Sequence, residues 1–276
     1  MLFKLGQVSA PVWSSKGADL ITSARWAPSD GAFGALPMVY GTLVTSAIAL
    51  LLAVPVALGT ALFVSEAAPI RLKGPISALT DLLAAVPSVV YGLWGIFVLV
   101  PAIRPLQQWL AGTLGAKIPI FAPPAPGVSY LTAGLILAIM ILPTISALSR
   151  EVLTGVPRSL REASLSLGAT KWESIRMGVL PSARSGIIGS IMLGLGRAFG
   201  ETIAVTMVIG NSPALSKSIL APGYTMASVI ANEFSEATGP LHIEALIAVG
   251  MLLFAVTLSV TILARFLVRR TRALGS

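Results

Sequence analysis

The sequence predicts an all-α, polytopic membrane protein. Three observations carry that prediction. Of the 276 residues, 55% are hydrophobic and only 11% charged, where a soluble domain carries about 25% charged residues. Five apolar stretches are each long enough to cross a bilayer core, which takes roughly 20 residues at about 1.5 Å rise per residue. Lysine and arginine are spread unevenly over the segments between them.

The five stretches lie at Val39–Phe63, Ile76–Val100, Leu131–Leu148, Ile187–Ile209 and Ile243–Leu267. Pro55, Pro87 and Pro143 fall inside the first three, where proline is tolerated and predicts a kink. With the C-terminus inside, the inside segments hold 12 Lys and Arg and the outside segments 6, so the positive-inside rule selects this orientation. The tail "RFLVRRTR" is itself an inside anchor signal. Residues 1–35 contain no spanning segment and no secretory core, and this topology places them outside as an extracytoplasmic segment. Residues 36–272 then form the membrane domain, with an inside loop at 150–184. Two outside segments look structural. "PLQQWLAGTLG" reads as a short interfacial helix with Trp109 at headgroup depth, and the proline-rich "KIPIFAPPAPG" as an extended connector.

Composition also excludes several chemistries. There are no cysteines and one histidine, His242, which removes support for disulfide frameworks, thiol catalysis, zinc ligation and Ser-His-Asp catalysis. The net charge of +8 follows from the inside Lys and Arg. No basic patch interleaves with aromatics, so nucleic acid is not an expected partner. No cofactor is called for. There is no G-x-x-x-x-G-K-[ST] loop, so any ATP is bound elsewhere and the chain is not expected to be an enzyme.

The inside loop, "SREVLTGVPRSLREASLSLGATKWESIRMGVLPSARSG", carries two capping-box patterns, Ser159 with Glu162 and Thr170 with Glu173. Gly168 stands between them, where a helix end needs positive φ. The reading is a two-turn helix, a glycine turn and a second helix running to Pro181. The first helix offers Leu160, Ala163, Leu165 and Leu167 with few charges, which suits docking into a partner's groove. A hairpin that only joins two spans fits as well.

The fourth stretch contains "GRAFGETIAV", with a full positive charge at Arg197 and a full negative charge at Glu201. In a continuous helix these share a face with Ser190, Gly194, Ala204 and Val208. Each charge costs about 2.5–3.5 kcal/mol at a membrane helix centre on insertion scales. One reading is a buried ion pair that fixes helix packing. The other is that Arg197 lines an anion path, because a guanidinium gives bidentate hydrogen bonds to tetrahedral oxyanions. Glu201 then holds Arg197 when no solute is present.

The loop segment "EASLSLG" followed by "VLP" resembles the EAA loop of ABC-type import permeases, E-A-A-x3-G-x9-I-x-L-P. The match covers Glu162, Ala163, Gly168, Leu180 and Pro181, with Ser164 replacing the second alanine and Gly178 the isoleucine. "ARWAPSDGAFGALPMVYGTLVTS", "AAVPSVVYGLWGIF" and "GSIMLGLGRAFGETIAVTMVIGN" resemble PstC-type permeases of phosphate ABC importers, and the likeness runs from about residue 19 onward. The resemblance implies an ABC importer permease fold in a bacterial inner membrane. It also implies a phosphate ion as solute, a second homologous permease subunit, an ATP-binding subunit dimer docked at Glu162, Ala163 and Gly168, and an extracytoplasmic phosphate-binding protein. Members have six membrane helices; five are predicted here, and "MLFKLGQVSAPVW" fits the outer end of a first. The arginine and glutamate that the family uses for phosphate passage map onto Arg197 and Glu201. The rival readings are a permease for molybdate or sulfate, a secondary transporter, and a membrane-embedded enzyme, the last lacking a cluster of His, Asp and Glu.

Other residues attract blander readings. His242 reads as interfacial. Asp81 reads as a helix N-terminal charge, with pairing to an inside Lys or Arg as the alternative. Ser88 and Tyr91 either line a path or satisfy the backbone beside Pro87. Gly196 and Gly200 read as a small-residue packing seam.

Overall fold

The computed structural model describes residues 2–273. They are mostly helical. In chain order the helices are α1 Leu2–Lys16, α2 Asp19–Thr22, α3 Leu36–Leu62, α4 Ile70–Ala85, α5 Ser88–Trp94, α6 Val100–Thr113, α7 Tyr130–Thr154, α8 Arg158–Ser166, α9 Lys171–Ser174, α10 Leu180–Gly200, α11 Ile203–Ile209, α12 Met226–Glu233 and α13 Pro240–Ala273. A two-stranded antiparallel hairpin, β1 Trp26–Ala27 and β2 Ala32–Phe33, precedes α3.

Five continuous helical stretches among the described residues are long and apolar enough to cross a membrane: Leu36–Ala67, Ser88–Thr113, Tyr130–Thr154, Lys171–Gly200 and Pro240–Ala264. The number matches the sequence expectation, but the bounds shift, most of all in the second and fourth spans. The second span is not Ile76–Val100. The chain is extended at Val86 and Pro87, because a proline disfavours helix at the residue before it. Ile70–Ala85 is therefore a separate helix, and the span runs on through α6. This corrects the reading of "PLQQWLAGTLG" as an interfacial helix, since it is the far end of that span. The fourth span begins at Lys171 and passes straight through Pro181.

Three wide π turns occur among the described residues, and two of them make such passages possible. They cover Phe63–Ala67, Gly95–Leu99 and Ile175–Val179. A proline ring clashes with the carbonyl four residues before it. For Pro101 and Pro181, which their helices pass through, that carbonyl belongs to Phe97 and Met177, each at the middle of a π turn. The wider turn moves the carbonyl aside. The Phe63–Ala67 turn instead ends its helix, with Ala68 extended before Pro69. Pro55, Pro105 and Pro143 lie inside α-helix without this device.

The helical elements sort into two compact units that interleave along the chain. The first comprises Met1–Ala49, Pro87–Ala138 and Ala198–Val260; the second comprises Leu50–Val86, Ile139–Arg197 and Thr261–Ser276. In the first unit, Val12, Leu20, Phe33, Met226, Leu246 and Val249 form one buried cluster. The segment before residue 35 thus contributes to the core around α13 both the hairpin and α1, a helix over the stretch that fits the outer end of a first helix. Ser9 also donates to the sulfur of Met251 at 3.1 Å. His242 lies against the same hairpin. Its Nε2 is 3.0 Å from Glu233 Oε2, which also accepts from Trp26 Nε1 at 2.9 Å. The histidine belongs to a largely buried clasp, with side-chain exposure of 15%, rather than standing at a free interface.

Close backbone approach decides one position in this unit. A Cβ on Gly223 falls 2.1 Å from the ring of buried Tyr130, so no side chain fits without repacking. Gly223→Ala is expected to destabilise the protein by about 1–3 kcal/mol, the usual cost of overpacking. Gly59→Ala, which meets open space on α3, is expected to be neutral or stabilising by about 1 kcal/mol from helix propensity. Thermal unfolding of the two variants in detergent checks the contrast.

In the second unit, Ala61, Leu153, Val156, Val179, Ala183 and Ile187 form the core. Arg150 Nη2 lies 3.7 Å from Asp81 Oδ1. Asp81 sits in the last third of α4, so the N-terminal dipole role is replaced by this ion pair. The anchor reading of the tail arginines concerns side chains that lie outside the described residues.

Candidate functional site

The stretch from Ile187 to Ile209 was expected to be one helix, with Arg197 and Glu201 one turn apart on it. The helix instead ends at Gly200, residues Glu201 and Thr202 are not helical, and α11 starts at Ile203. The i, i+4 argument for an ion pair therefore falls away, because it needed an unbroken helix. Neither residue takes part in an ion pair among the described residues.

The break gives each charge a different support. Arg197 lies in the last turn of α10, where carbonyls without helical partners favour a cation. Its Nη1 donates to Thr144 Oγ1 at 3.1 Å. Glu201 lies just before α11, where free amides favour an anion. Its Oε1 accepts from the Ala204 amide at 3.3 Å. Both charges thus sit at the helix end that lowers their burial cost, without needing each other. Thr144 is neutral, so the guanidinium keeps its full charge.

Arg197 also lines a cavity of about 890 Å³ within the second unit, formed by α7, α10 and Thr261 of α13. On α7 the lining includes Leu148 and Glu151; on α10 it runs from Ser185 to Arg197, roughly 18 Å at 1.5 Å per residue. Glu151 is seven residues from Thr144, about 10 Å along the helix, and so marks the other end. Between them the hydroxyls of Ser149 and Ser190 bond at 2.6 Å, so the Ser190 singled out beside Arg197 is engaged and buried. Glycines separate packing from lining. A Cβ on Gly194 falls 2.6 Å from Ile145, so Gly194 is the seam where α10 meets α7. Gly196 and Gly200, expected to be that seam, face open space, and Gly196 lines the cavity. Thr144 and Glu151 were missed from sequence. They fall on one α7 face with Leu148 at helical spacing, the signal that was available. Ser88 starts α5 after Pro87, and Tyr91 is buried on it.

The second candidate region is the loop helix. Pro157 caps α8, and Ser159 lies inside it, so the first capping box does not form. The second does: Thr170 Oγ1 accepts from the Glu173 amide, and Glu173 accepts from the Thr170 amide at 2.7 Å. Gly168 has φ of +85°, as the turn requires. The second loop helix does not stop at Pro181 but becomes the fourth span. Ser182 Oγ donates to the Gly178 carbonyl there at 2.8 Å. Glu162 and Ala163 are exposed, as are Leu160, Leu165 and Trp172, and Leu167 is 88% exposed. A shallow groove of about 530 Å³ runs beside Ala163, Leu167, Gly168 and Met177.

A fold of five spanning helices with a broken helix at two half-buried charges and an exposed loop helix defines a multi-pass membrane transport component. The sequence signature described as "Binding-protein-dependent transport system inner membrane component" matches residues 53–273, and the chain belongs to that family of inner-membrane permeases. It is 45% identical over 264 residues to the phosphate transport system permease protein PstC of Mesorhizobium japonicum, covering 94% of this chain and 81% of that protein. It is 48% identical over 259 residues to PstC of Xylella fastidiosa strain Temecula1, covering 92% and 80%. Among solved structures, a bacterial ABC transporter involved in import of the acidic polysaccharide alginate superposes with a TM-score of 0.60 at 15% identity, over 98% of this chain and 95% of that one. An inward-facing methionine transporter, MetNI, gives 0.56 at 17%, over 85% and 92%. The fold is that of ABC transporter permeases.

Proposed function

We propose that this chain is one permease half of an ATP-driven phosphate importer, with Arg197 as a cationic point of the anion path. The observation that carries the anion reading is that Arg197, on the span Lys171–Gly200, fronts a cavity while its described partner is a neutral hydroxyl. The names of the relatives supply phosphate as the anion. Glu201 contributes a fixed negative charge at the start of α11, which opposes an anion that is not held. The exposed face of α8, with Glu162, Ala163 and Gly168, receives a cytoplasmic ATP-binding subunit. A second permease subunit completes the path, and an extracytoplasmic binding protein delivers the ion.

The proposal is tested by co-purification and competition. The chain expressed with its ATP-binding subunit is expected to retain it through purification. Labelled phosphate uptake is expected to survive a hundredfold excess of sulfate or molybdate. Uptake inhibited equally by these anions redirects the reading to a general oxyanion permease. Uptake without any ATP-binding subunit, driven by an ion gradient, overturns it in favour of a secondary transporter.

A further inference from the structure

We propose that the Arg161–Glu66 pair is the strut that carries movement of the loop helix α8 into the membrane helices. This is a positioning role, separate from contact with a partner, and it rests on the reading of α8 as the helix that an ATP-binding subunit moves.

One guanidinium ties three elements of the second unit together. Arg161 Nη2 donates to Glu66 Oε1 at 2.7 Å and Nε to Oε2 at 3.3 Å. Nη1 donates to the Val156 carbonyl at 2.6 Å, and Nη2 also to the Leu153 carbonyl at 2.9 Å. Four of the five guanidinium N–H groups are thereby accounted for. Leu153 belongs to the last turn of α7, Val156 to the link into α8, and Glu66 to the π turn that ends the first span. The acid is almost buried, with a side-chain exposure of 9%, and Arg161 is at 22%.

Each partner needs the other. A carboxylate at the C-terminal end of a helix is repelled by the helix dipole, so Glu66 is misplaced without a cation. The Leu153 carbonyl in the last turn of α7, which also accepts from the Val156 amide at 3.3 Å, gains a charged donor in Arg161. A bidentate planar fork also resists rotation, as a lysine's single ammonium does not. The adjacent residue does the opposite. Glu162 is exposed, and its side chain makes no hydrogen bond or ion pair within the described residues. Successive positions thus divide the work: Glu162 faces a partner, and Arg161 holds the inner ends of the first and third spans. This side chain gives a push on α8 a direct route to both spans.

The test is the number of phosphate ions moved per ATP hydrolysed by the full complex in proteoliposomes. Arg161→Lys keeps the charge and loses the fork. It is expected to keep the ATP-binding subunit at wild-type stoichiometry while transport per ATP falls about tenfold. The chain has no cysteine, so Glu66→Cys with Arg161→Cys, in a cysteine-free partner background, gives a unique pair. Reduced, that complex is expected to hydrolyse ATP with at least tenfold less transport per ATP. Bridged by a short bifunctional thiol reagent, it is expected to recover at least half of the wild-type ratio. An unchanged ratio in Arg161→Lys overturns the strut, and so does a bridge that restores nothing. Failure of both variants to assemble also overturns it, making the pair a folding anchor. Failure of the wild-type chain to retain the ATP-binding subunit defeats the reading of α8 instead.

Discussion

Arg197→Gln is expected to lower phosphate uptake by a hundredfold or more while leaving the protein inserted and assembled. The size follows from what a guanidinium gives an oxyanion: two charge-assisted hydrogen bonds at about 1.5–3 kcal/mol each. Losing both removes roughly 3–6 kcal/mol, and each 1.36 kcal/mol is a factor of ten in rate. Assembly survives because Arg197 has no buried anionic partner that the substitution would orphan, and glutamine can still donate to Thr144. Arg197→Lys keeps the charge and loses the fork, so its uptake falls about tenfold. Glu201→Gln separates two roles of the acid. The amide oxygen still accepts from Ala204, so the start of α11 is preserved while the charge is lost. Uptake that falls about tenfold in this variant reports on the charge. Uptake at the wild-type level limits Glu201 to supporting α11. Initial rates of labelled phosphate uptake, normalised to protein in the membrane, read all three variants.

Gly168→Val is expected to detach the ATP-binding subunit and abolish ATP-dependent transport. The residue has φ of +85°, and a left-handed conformation costs a non-glycine residue about 1–2 kcal/mol, with β-branched residues the worst case. The chain relieves that strain by changing the turn, which reorients α8 relative to α9. Bonds such as Ser164 Oγ to Ser174 Oγ set that relation. The direct contact of the added side chain is not the cause, since a Cβ there meets open space. The chain itself is therefore expected to unfold within a few degrees of wild type. Glu162→Lys, which only inverts an exposed charge, should weaken retention without altering the turn. Pull-down of the ATP-binding subunit, together with a melting curve, separates the two effects.

The spans were legible because twenty apolar residues in a row have few other meanings. Their ends were less so. Several prolines lie in helix-forming sequence, and only the three-dimensional backbone decides that Pro87 breaks its helix while Pro181 is carried through on a π turn. The break at Glu201 and Thr202 was hidden by the apolar residues on either side, and two opposite charges four residues apart argued for a continuous helix. They were read as a pair on one helix, whereas each is supported by the end of its own helix. The glycine turn at Gly168 and the Thr170 capping box were readable because their chemistry is local. Ser159 satisfied the same pattern, but Pro157 took the cap and left Ser159 inside the helix. Contacts such as Arg161 with Glu66, 95 residues apart, leave no mark in a single sequence.

The most direct measurement of the central claim is ATP-driven uptake of labelled phosphate into proteoliposomes. These would contain the purified complex, with wild type and Arg197→Gln matched for bound ATP-binding subunit. The account predicts uptake in the wild type that needs ATP, and loss of at least a hundredfold in Arg197→Gln at equal assembly. Equal uptake by the two complexes would contradict it.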